Sequence, residues 1–374
     1  MSFSGTSGSR GAVADRGDSR VIDCERARLE RSASPDPRGA SSVQAAGTTI
    51  PAVSGPALRV ALLGGIPASL GGGGLELQRD RTAAALGARG HEVFRVETEP
   101  EPRAFDVLHA FGSEAGLWHA LVHWRRNPAP LVVSSVVVVA PGMAERIVKA
   151  TAKVPVATEN RVRALALRRA DVVIALTDAE AELVSALGAK RVEVIGNGVD
   201  PAPDVAAPEG LPERFVLLLG TVSARKRQRE IVDALAAAGG WPLVVAGGWD
   251  GPPDGREAFA AAVARTGGTW LGEVAPGVAR AVLGRAAALV HLSGAEGQSL
   301  AVLEALADGT RVIASPLPAQ RELAARHPGW VELVDGPEEV PAALGRAAPA
   351  QDAPSIPTWD DVAAQVERVY RSVT

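Results

Sequence analysis

Short apolar segments alternate with helical segments through most of this 374-residue chain, and a glycine-rich loop joins the first strand to the first helix. Residues 58–63 are typical of an apolar strand, residues 75–86 of a helix and residues 91–96 of a second strand. Strand, glycine loop, helix and strand in this order form a βαβ unit. The start of the folded chain is therefore predicted to contain a parallel sheet.

The alternation continues in two series, which a Pro-rich stretch at residues 201–212 separates. Residues 131–139 are apolar and mostly β-branched, as in a strand buried on both faces of a parallel sheet. The further predicted strands are residues 105–109, 171–175, 192–195, 215–220, 243–246, 269–271, 289–292 and 311–314. The further predicted helices are residues 115–124, 144–153, 160–169, 178–187, 231–238, 257–264, 278–287, 300–307 and 359–372.

This pattern predicts two consecutive α/β domains, at residues 58–200 and 201–355, and a C-terminal helical segment at residues 356–374. Residues 1–57 are rich in Ser, Gly, Ala, Asp and Arg, which predicts a disordered extension or an over-called start codon. Ligands of open parallel sheets bind outside the carboxyl ends of the strands. We therefore expect the functional site in a cleft between the two domains.

Composition excludes several classes of protein. A net charge of −4 disfavours a nucleic-acid partner, and the single cysteine, Cys24, excludes a disulfide scaffold and a cysteine-ligated zinc site. The longest apolar run, residues 131–140, is shorter than the roughly 20 residues of a membrane-spanning helix. Residues 1–30 contain no apolar segment typical of a signal peptide. These features predict a cytoplasmic enzyme.

Four consecutive glycines at residues 71–74 precede the first helix. Such a loop lets the backbone approach a ligand closely, and the following helix N-terminus favours a phosphate. A flexible turn without a ligand explains the same glycines equally well. The dinucleotide fingerprint G-x-G-x-x-G is not met, because Glu76 or Leu77 stands where its third glycine would be. A nicotinamide-dependent oxidoreductase is therefore disfavoured.

Residues 294–304 connect a predicted strand to a predicted helix. The amides of residues 297–300 fall at the helix N-terminus, where an anion can bind. Glu296 could accept hydrogen bonds from sugar hydroxyls, and Glu304, in the helix, from a second diol such as a ribose. Seen alone, the segment is also explained by a polar helix cap with a solvated Glu304.

A basic triplet, residues 225–227, follows the first strand of the second predicted domain. Lys226 at this strand end could neutralise a diphosphate leaving group. A solvated basic loop is the alternative.

Together these segments resemble the retaining nucleotide-sugar glycosyltransferases of family 4, which have the GT-B fold of two facing Rossmann-like, doubly wound domains with a cleft between them. The sequence EGQSLAVLE at residues 296–304 is similar to the E-x7-E signature of that family. The other segments that carry the resemblance are GGGGLE at residues 71–76, IGNGVD at 195–200, GTVSARK at 220–226 and GTRVIAS at 309–315. The resemblance extends over residues 58–374.

The resemblance implies transfer of a sugar from a nucleoside diphosphate sugar to a hydroxyl acceptor, with the donor as co-substrate and without a cofactor or metal. Lys226 and Glu296 would be the catalytic residues, binding the diphosphate and the donor sugar respectively. The implied donor-binding residues are Gly73, Gly74, Arg225, Gly272, Val274, Gly297, Gln298, Ser299, Leu300 and Glu304. Of these, Gly272 and Val274 would lie near the base and Glu304 near the ribose. The last helix would cross back onto the first domain.

The chain departs from the family pattern at several positions. Thr221 stands where the family usually has Arg, with Arg225 or Arg227 as its candidate substitute. Val136 stands at the aligned position of a frequent His. His109 matches a common first-domain His and is a candidate acceptor-side residue, or equally a packed core histidine.

The acceptor is the hardest part to predict, and glycan, lipid-linked and small-molecule acceptors all stay open. The mixed aromatic and basic residues of segment 118–126 suggest contact with the inner face of a membrane, although ordinary core tryptophans beside solvated arginines explain them better. The changes at Thr221 and Val136 keep a second function open. In that alternative the chain is a weak or inactive GT-B partner that binds a nucleotide sugar without turnover.

Overall fold

Two six-stranded parallel sheets organise the chain in the computed structural model. The structure describes residues 55–65, 73–96, 104–112, 129–138, 142–154, 158–347, 349 and 352–374, and these belong to one compact unit. The predicted helix at 115–124, residues 1–54 of the predicted extension and residues 118–126 lie outside the described residues. Two facing Rossmann-like domains, predicted from the sequence, are confirmed.

The first sheet has the strand order β2-β1-β3-β4-β5-β6, with all neighbours parallel. Its strands are β1 (Arg59–Leu63), β2 (Glu92–Arg95), β3 (Val107–Phe111), β4 (Leu131–Ser134), β5 (Val172–Ala175) and β6 (Val192–Val194). Strands β3, β4 and β5 are buried along their whole length, since helices cover both faces of the sheet.

The second sheet has the order β12-β11-β10-β7-β8-β9, also parallel throughout. Its strands are β7 (Val216–Leu219), β8 (Leu243–Ala246), β9 (Thr269–Trp270), β10 (Ala288–His291), β11 (Val312–Ala314) and β12 (Val331–Leu333). Each sheet is covered by one apolar core on either face.

The described helices of the first half are α1 (Gly74–Ala88), α2 (Met143–Thr151), α3 (Glu159–Arg169) and α4 (Asp178–Leu187). Those that follow are α5 (Gln228–Ala238), α6 (Pro253–Arg265), α7 (Pro276–Leu283), α8 (Leu300–Ala307), α9 (Pro318–Arg326), α10 (Val340–Leu344) and α11 (Trp359–Arg371). None of the helices within the described ranges is long and apolar enough to cross a membrane.

The C-terminal helix α11 packs against the first sheet, although it follows the second sheet in the chain. Its apolar face, which includes Trp359, Val366 and Tyr370, joins the core formed by β1 and β3. The guanidinium of Arg89, at the end of α1, donates 3.1 Å hydrogen bonds to Glu367 and Asp360 of α11. The chain thus returns from the second half to the first and ties the two halves together.

Some elements differ from the sequence prediction. Strand β4 ends at Ser134, not at residue 139, because Glu180 binds the backbone just beyond it and turns the chain out of the sheet. Helix α7 ends at Leu283, four residues earlier than predicted. The sequence analysis does not predict β12, α9 or α10, which are short elements of three to nine residues.

Candidate active site

A cleft of about 600 Å³ lies at the carboxyl ends of the strands and is lined by residues from both halves of the chain. The predicted site residues on its walls are Gly73, Gly74, Arg225, Lys226, Glu296, Gly297, Gln298, Ser299 and Leu300. The glycine end of α1, the basic turn after β7 and the N-terminus of α8 therefore border one space.

Lys226 ends a short 3₁₀ turn, Ala224–Lys226, that follows β7. The pKa of its ammonium group is lowered, mainly by burial. The nearby Glu296 carboxylate opposes this shift, and the Arg225 guanidinium adds to it. The amine lies against Gly220, where an added Cβ would collide with Nζ. Gly220 also has a φ of +101°, which favours glycine. The absence of a side chain at Gly220 therefore leaves room for the Lys226 amine at the cleft wall.

Two arginines were candidates to replace the charge missing at Thr221, and they occupy different surroundings. Arg225 lines the cleft, and its Nη1 donates hydrogen bonds to Glu296 (2.6 Å) and to the carbonyl of Ala295 (2.9 Å). Arg227 instead pairs with Glu230 at 2.6 Å, and it is not among the residues that line the described cleft. Arg225 is therefore the one of the two that can add positive charge to the cleft.

Glu296 lies in the loop between β10 and α8. Its Oε1 accepts the hydrogen bond from Arg225 and lies 3.5 Å from Nε2 of His291. Burial acts to raise the pKa of Glu296, but the facing His291 ring and the Arg225 guanidinium together lower it to about 2. The carboxylate is therefore ionised near neutral pH, where Arg225 donates a hydrogen bond to it and the His291 ring lies close by.

Helix α8 starts at Leu300 without a side-chain cap from Ser299. The first amides of a helix have no intrahelical acceptor, and the N-terminal end of the helix dipole is positive. Residues 297–300 line the cleft, so this helix end can hold an anion there.

Gln298 connects the two halves next to this helix start. Its Oε1 accepts a 2.6 Å hydrogen bond from the backbone amide of Asn197, and its Nε2 lies 3.4 Å from the carbonyl of Leu176. The Asn197 side-chain amide donates in turn to the Gln298 carbonyl at 3.3 Å. Gln298 thus fixes the first half against the helix that borders the cleft.

The glycine loop is described from Gly73 onward, and Gly71 and Gly72 lie outside the described residues. Gly73 precedes α1, and its amide donates a 2.7 Å hydrogen bond to Glu76 in the first turn. An added Cβ at Gly74 would meet nothing within 4 Å, so the helix start is open toward the cleft.

Three predicted donor contacts are not among the residues that line the described cleft: Gly272, Val274 and Glu304. Glu304 faces Arg280 at 3.6 Å. The pKa of Glu304 is raised, mainly by burial. The nearby Arg280 guanidinium opposes this shift, and the Asp308 carboxylate adds to it. Gly272 follows β9 with a φ of +68°, and its carbonyl accepts from the amide of Gly247 at 2.7 Å.

His109 lies in the core and does not line the described cleft. Its Nδ1 lies 2.6 Å from the Tyr370 hydroxyl and its Nε2 2.9 Å from the Ser134 hydroxyl, while Phe111 stacks on its ring. Complete burial lowers the pKa of His109 to about 3. The geometry matches the packed core histidine, and the acceptor-side role of His109 stays a prediction.

Sequence reasoning missed two polar residues of the cleft wall, His291 and Asn197. Nε2 of His291 and Oδ1 of Asn197 are buried and make no hydrogen bond within the described part of the chain. His291 ends β10, and a polar residue at the carboxyl end of a parallel strand is the signal that could have identified it. Within the same described part, no group of three or more His, Cys, Asp or Glu side chains is arranged to hold a metal ion.

Comparison with known protein families agrees with this geometry. Residues 101–198 match the model described as a glycosyl transferase 4-like domain, and residues 213–348 match the model described as glycosyl transferases group 1. The two matches follow one another and together span well over half of the chain. The chain is a glycosyltransferase of the GT-B type. No curated protein matches the sequence of this glycosyltransferase.

Solved structures with the same fold include several glycosyltransferases. HepE of Anabaena, in complex with UDP and glucose, is 17% identical, with a TM-score of 0.55, and covers 84% of this glycosyltransferase and 97% of its own chain. AviGT4, from avilamycin A biosynthesis, is 20% identical with a TM-score of 0.56, covering 84% and 98%. Sucrose-phosphate synthase from Thermosynechococcus elongatus is 17% identical with a TM-score of 0.53, covering 84% and 98%. At these identities the likeness supports the shared fold alone.

Proposed function

We propose that this glycosyltransferase transfers a sugar from a nucleoside diphosphate sugar to a hydroxyl group of an acceptor, with retention of the anomeric configuration. One observation carries the proposal: Lys226, Arg225, the α8 N-terminus and the glycine end of α1 border a single cleft. Two cationic side chains and two helix N-termini around one space suit a diphosphate.

In the proposed reaction, Lys226 and the amides of residues 297–300 stabilise the negative charge that develops on the departing diphosphate. The bond between the anomeric carbon and the phosphate oxygen breaks, and the acceptor oxygen bonds to that carbon on the same face of the sugar. The acceptor proton passes to the departing phosphate oxygen. Lys226 and the amides thus supply the positive charge that the leaving group requires, and we infer that the reaction needs no metal ion.

Glu296 is proposed to orient the donor sugar by accepting hydrogen bonds from its hydroxyls. Its low pKa of about 2 and its pairing with Arg225 support this role over that of a proton donor. The proposals that Glu304 contacts the ribose, and that Gly272 and Val274 contact the base, rest on the sequence motif alone.

Ligand-induced thermal stabilisation tests the donor class. The protein is titrated with UDP, GDP, ADP, TDP and CDP, and with their common sugar conjugates. UDP is first because HepE was crystallised with it. A ligand that binds only the native state raises the melting temperature by mass action. We expect stabilisation by at least one of these nucleotides and loss of most of it in Lys226→Ala. No stabilisation by any of them would contradict the proposal.

Turnover and stereochemistry need a second experiment, which measures release of nucleoside diphosphate from the bound donor. We expect release. A donor that is bound but never cleaved, with or without acceptors, would support a partner protein without turnover. Proton NMR of a fresh product gives the configuration at its anomeric carbon. A product with inverted configuration would support the proposed sugar transfer and contradict the proposed retention of configuration.

Contact with a membrane surface stays a prediction from segment 118–126. Co-sedimentation with anionic vesicles tests it, and absence of binding would contradict it.

A further inference from the structure

The two walls of the cleft differ in polarity. The wall from the second sheet carries Arg225, Lys226, His291, Glu296, Gln298 and Ser299. The wall from the first sheet carries five aliphatic side chains among its described residues, Leu75, Leu77, Val136, Val138 and Leu176, beside the uncharged polar side chains of Gln78 and Asn197. The wall from the second sheet also carries three apolar residues, Leu219, Leu300 and Ala301, so the walls differ chiefly in charge. The charged diphosphate and the sugar hydroxyls of the proposed donor match the wall from the second sheet. The wall from the first sheet, called here the aliphatic wall, carries no charged side chain among its described residues and suits an apolar ligand group.

Part of the aliphatic wall is accessible to solvent. Leu77 is 40% exposed and Val138 is 48% exposed. Covering such side chains with an apolar ligand group is favourable, whereas covering them with hydroxyl groups leaves those hydroxyls without partners. The aliphatic wall therefore discriminates between an apolar and a polar ligand surface.

Val136 occupies its place in the wall in a conformation that valine rarely adopts. Its φ is +43°, in the left-handed region that is an outlier for β-branched residues. A backbone in such a region persists only where its surroundings hold it, and such residues concentrate at functional sites. At this position the chain has valine where the resembling family frequently has histidine.

The side chain of Glu180 stabilises the backbone conformation of Val136 through hydrogen bonds to its two neighbours. Its Oε1 accepts a 2.6 Å hydrogen bond from the Ser135 hydroxyl and a 2.7 Å hydrogen bond from the Val137 amide, so the residues on both sides of Val136 are fixed. Its Oε2 accepts a 2.8 Å hydrogen bond from the amide of Leu176. One buried carboxyl group thus fixes the backbone at two positions of the aliphatic wall.

We infer that the acceptor carries its reactive hydroxyl on an apolar body, aromatic or aliphatic, which packs against the aliphatic wall. This inference rests on the proposed function, since it assigns the space that the donor leaves. Val136 is the residue that determines this specificity. The apolar body lies between Leu77 and Val138 and directs its hydroxyl toward the polar wall.

The test compares acceptors in matched pairs that share the same hydroxyl groups and differ in apolar substituent. Phenyl β-D-glucoside against methyl β-D-glucoside, and 4-phenylbutanol against ethanol, are two such pairs. Each pair competes in one tube with the donor identified by thermal stabilisation, and mass spectrometry measures both products together with hydrolysed donor. We expect the apolar member of a pair to be preferred at least tenfold in kcat/KM.

Val136→Asn tests the residue itself. Asn tolerates the left-handed conformation better than Val, so the variant keeps the backbone and replaces an apolar surface with a polar one. We expect an unchanged or higher melting temperature and a preference for the apolar acceptor reduced about tenfold. Val205→Asn is the control, because Val205 is 44% exposed and does not line the described cleft. It should keep the wild-type preference.

The outcomes separate the two proposals. Equal use of both members of every pair, or donor hydrolysis without transfer to any apolar acceptor, would overturn the apolar acceptor and leave the sugar-transfer function standing. An unchanged preference in Val136→Asn would remove Val136 as its determinant. Absence of both donor binding and donor hydrolysis would overturn the proposed function, and this inference with it.

Discussion

Glu296 and Arg225 are 71 residues apart in the chain, and their side chains are joined by a 2.6 Å hydrogen bond on one wall of the cleft. The Arg225 guanidinium is half exposed, whereas the Glu296 carboxylate is largely buried. The arginine also binds the carbonyl of Ala295 at 2.9 Å, so it fixes both the backbone and the side chain of the Glu296 loop. The anionic group proposed to orient the sugar is thereby held beside the cationic groups proposed to bind the diphosphate.

Lys226→Ala should lower kcat by about 10²–10³-fold, the usual cost of removing one preorganised group that stabilises transition-state charge. The measurement is the rate of nucleoside diphosphate release with saturating donor and acceptor. Lys190→Ala, at an exposed lysine away from the cleft, is the matched control and should keep the wild-type rate. A folded Lys226→Ala variant with near-normal turnover would remove Lys226 from the mechanism.

Gly220→Ala should reproduce much of the loss of kcat expected for Lys226→Ala, although Lys226 itself is not substituted. The added methyl group would collide with the Lys226 amine and displace it. We expect a loss of at least about tenfold in kcat, because a small displacement of a charged group weakens its interaction with the leaving group. Gly210→Ala is the control, since Gly210 also has a positive φ, +78°, but nothing lies within 4 Å of its added Cβ. Both variants place an alanine at a positive φ, so equal rates would contradict the role of Gly220.

Glu296→Gln should destabilise the protein at neutral pH more than in acid. The folded-state pKa of about 2 lies below the ordinary value of 4.5, so Glu296 contributes stability above about pH 4.5 and loses it as the pH falls toward 2. The difference in melting temperature between wild type and Glu296→Gln should be several degrees at pH 7 and should narrow below pH 4.5. Glu209→Gln, at an exposed position in the linker, should show little difference at either pH. A difference in melting temperature between wild type and Glu296→Gln that does not change with pH would contradict the lowered pKa of Glu296.

His109→Ala should act on stability and leave the chemistry of the folded protein intact. The substitution opens a cavity and leaves the Tyr370 and Ser134 hydroxyls without their partner, which together cost about 2–4 kcal/mol. Urea unfolding measures this loss. Tyr370→Phe, which removes one hydrogen bond, should cost about 1 kcal/mol. A stable His109→Ala variant with an altered KM for the acceptor would instead support a role of His109 in acceptor binding.

The pKa of His109 gives this residue its own pH dependence. Its folded-state value of about 3 lies below the ordinary 6.5, so the unfolded chain binds a proton between these values and the native chain does not. The stability due to neutral His109 is therefore complete above pH 6.5 and decreases as the pH falls toward 3. His109→Ala should show a weaker loss of stability over this range than the wild type.

Removal of divalent cations with EDTA should leave donor cleavage within about twofold of the untreated rate. Lys226, Arg225 and the α8 amides are proposed to supply the positive charge that a metal ion would otherwise provide. Activity lost in EDTA and restored by Mg²⁺ or Mn²⁺ would contradict this expectation.

The sequence predicted most elements of both sheets, because a strand buried on two faces leaves a continuous apolar run that can be recognised locally. It failed where the determinant is distant. Residues 136–139 repeat the apolar, β-branched character of β4, yet the carboxyl group of Glu180, 45 residues after Ser135, binds the backbone where the chain turns at Val136. Strand β12 has only three residues, too few for a periodic pattern.

For the site, the motifs predicted nine residues that line the cleft, but the sequence left three questions open. It offered both Arg225 and Arg227 as the missing cation, and only Arg225 borders the cleft. It offered two roles for His109, and the hydroxyl of Tyr370, 261 residues away, places the ring in the core. It did not identify His291 or the aliphatic wall.

The sequence by itself determined the order of strands and helices, the two parallel sheets and the segments that border the cleft, since each depends on side chains close together in the chain. The tertiary structure alone decided which charges face one another, how Val136 is held and that five aliphatic side chains meet on one wall of the described cleft. These properties arise from contacts between residues tens to hundreds of positions apart, whose individually small energies leave no periodic trace in the sequence.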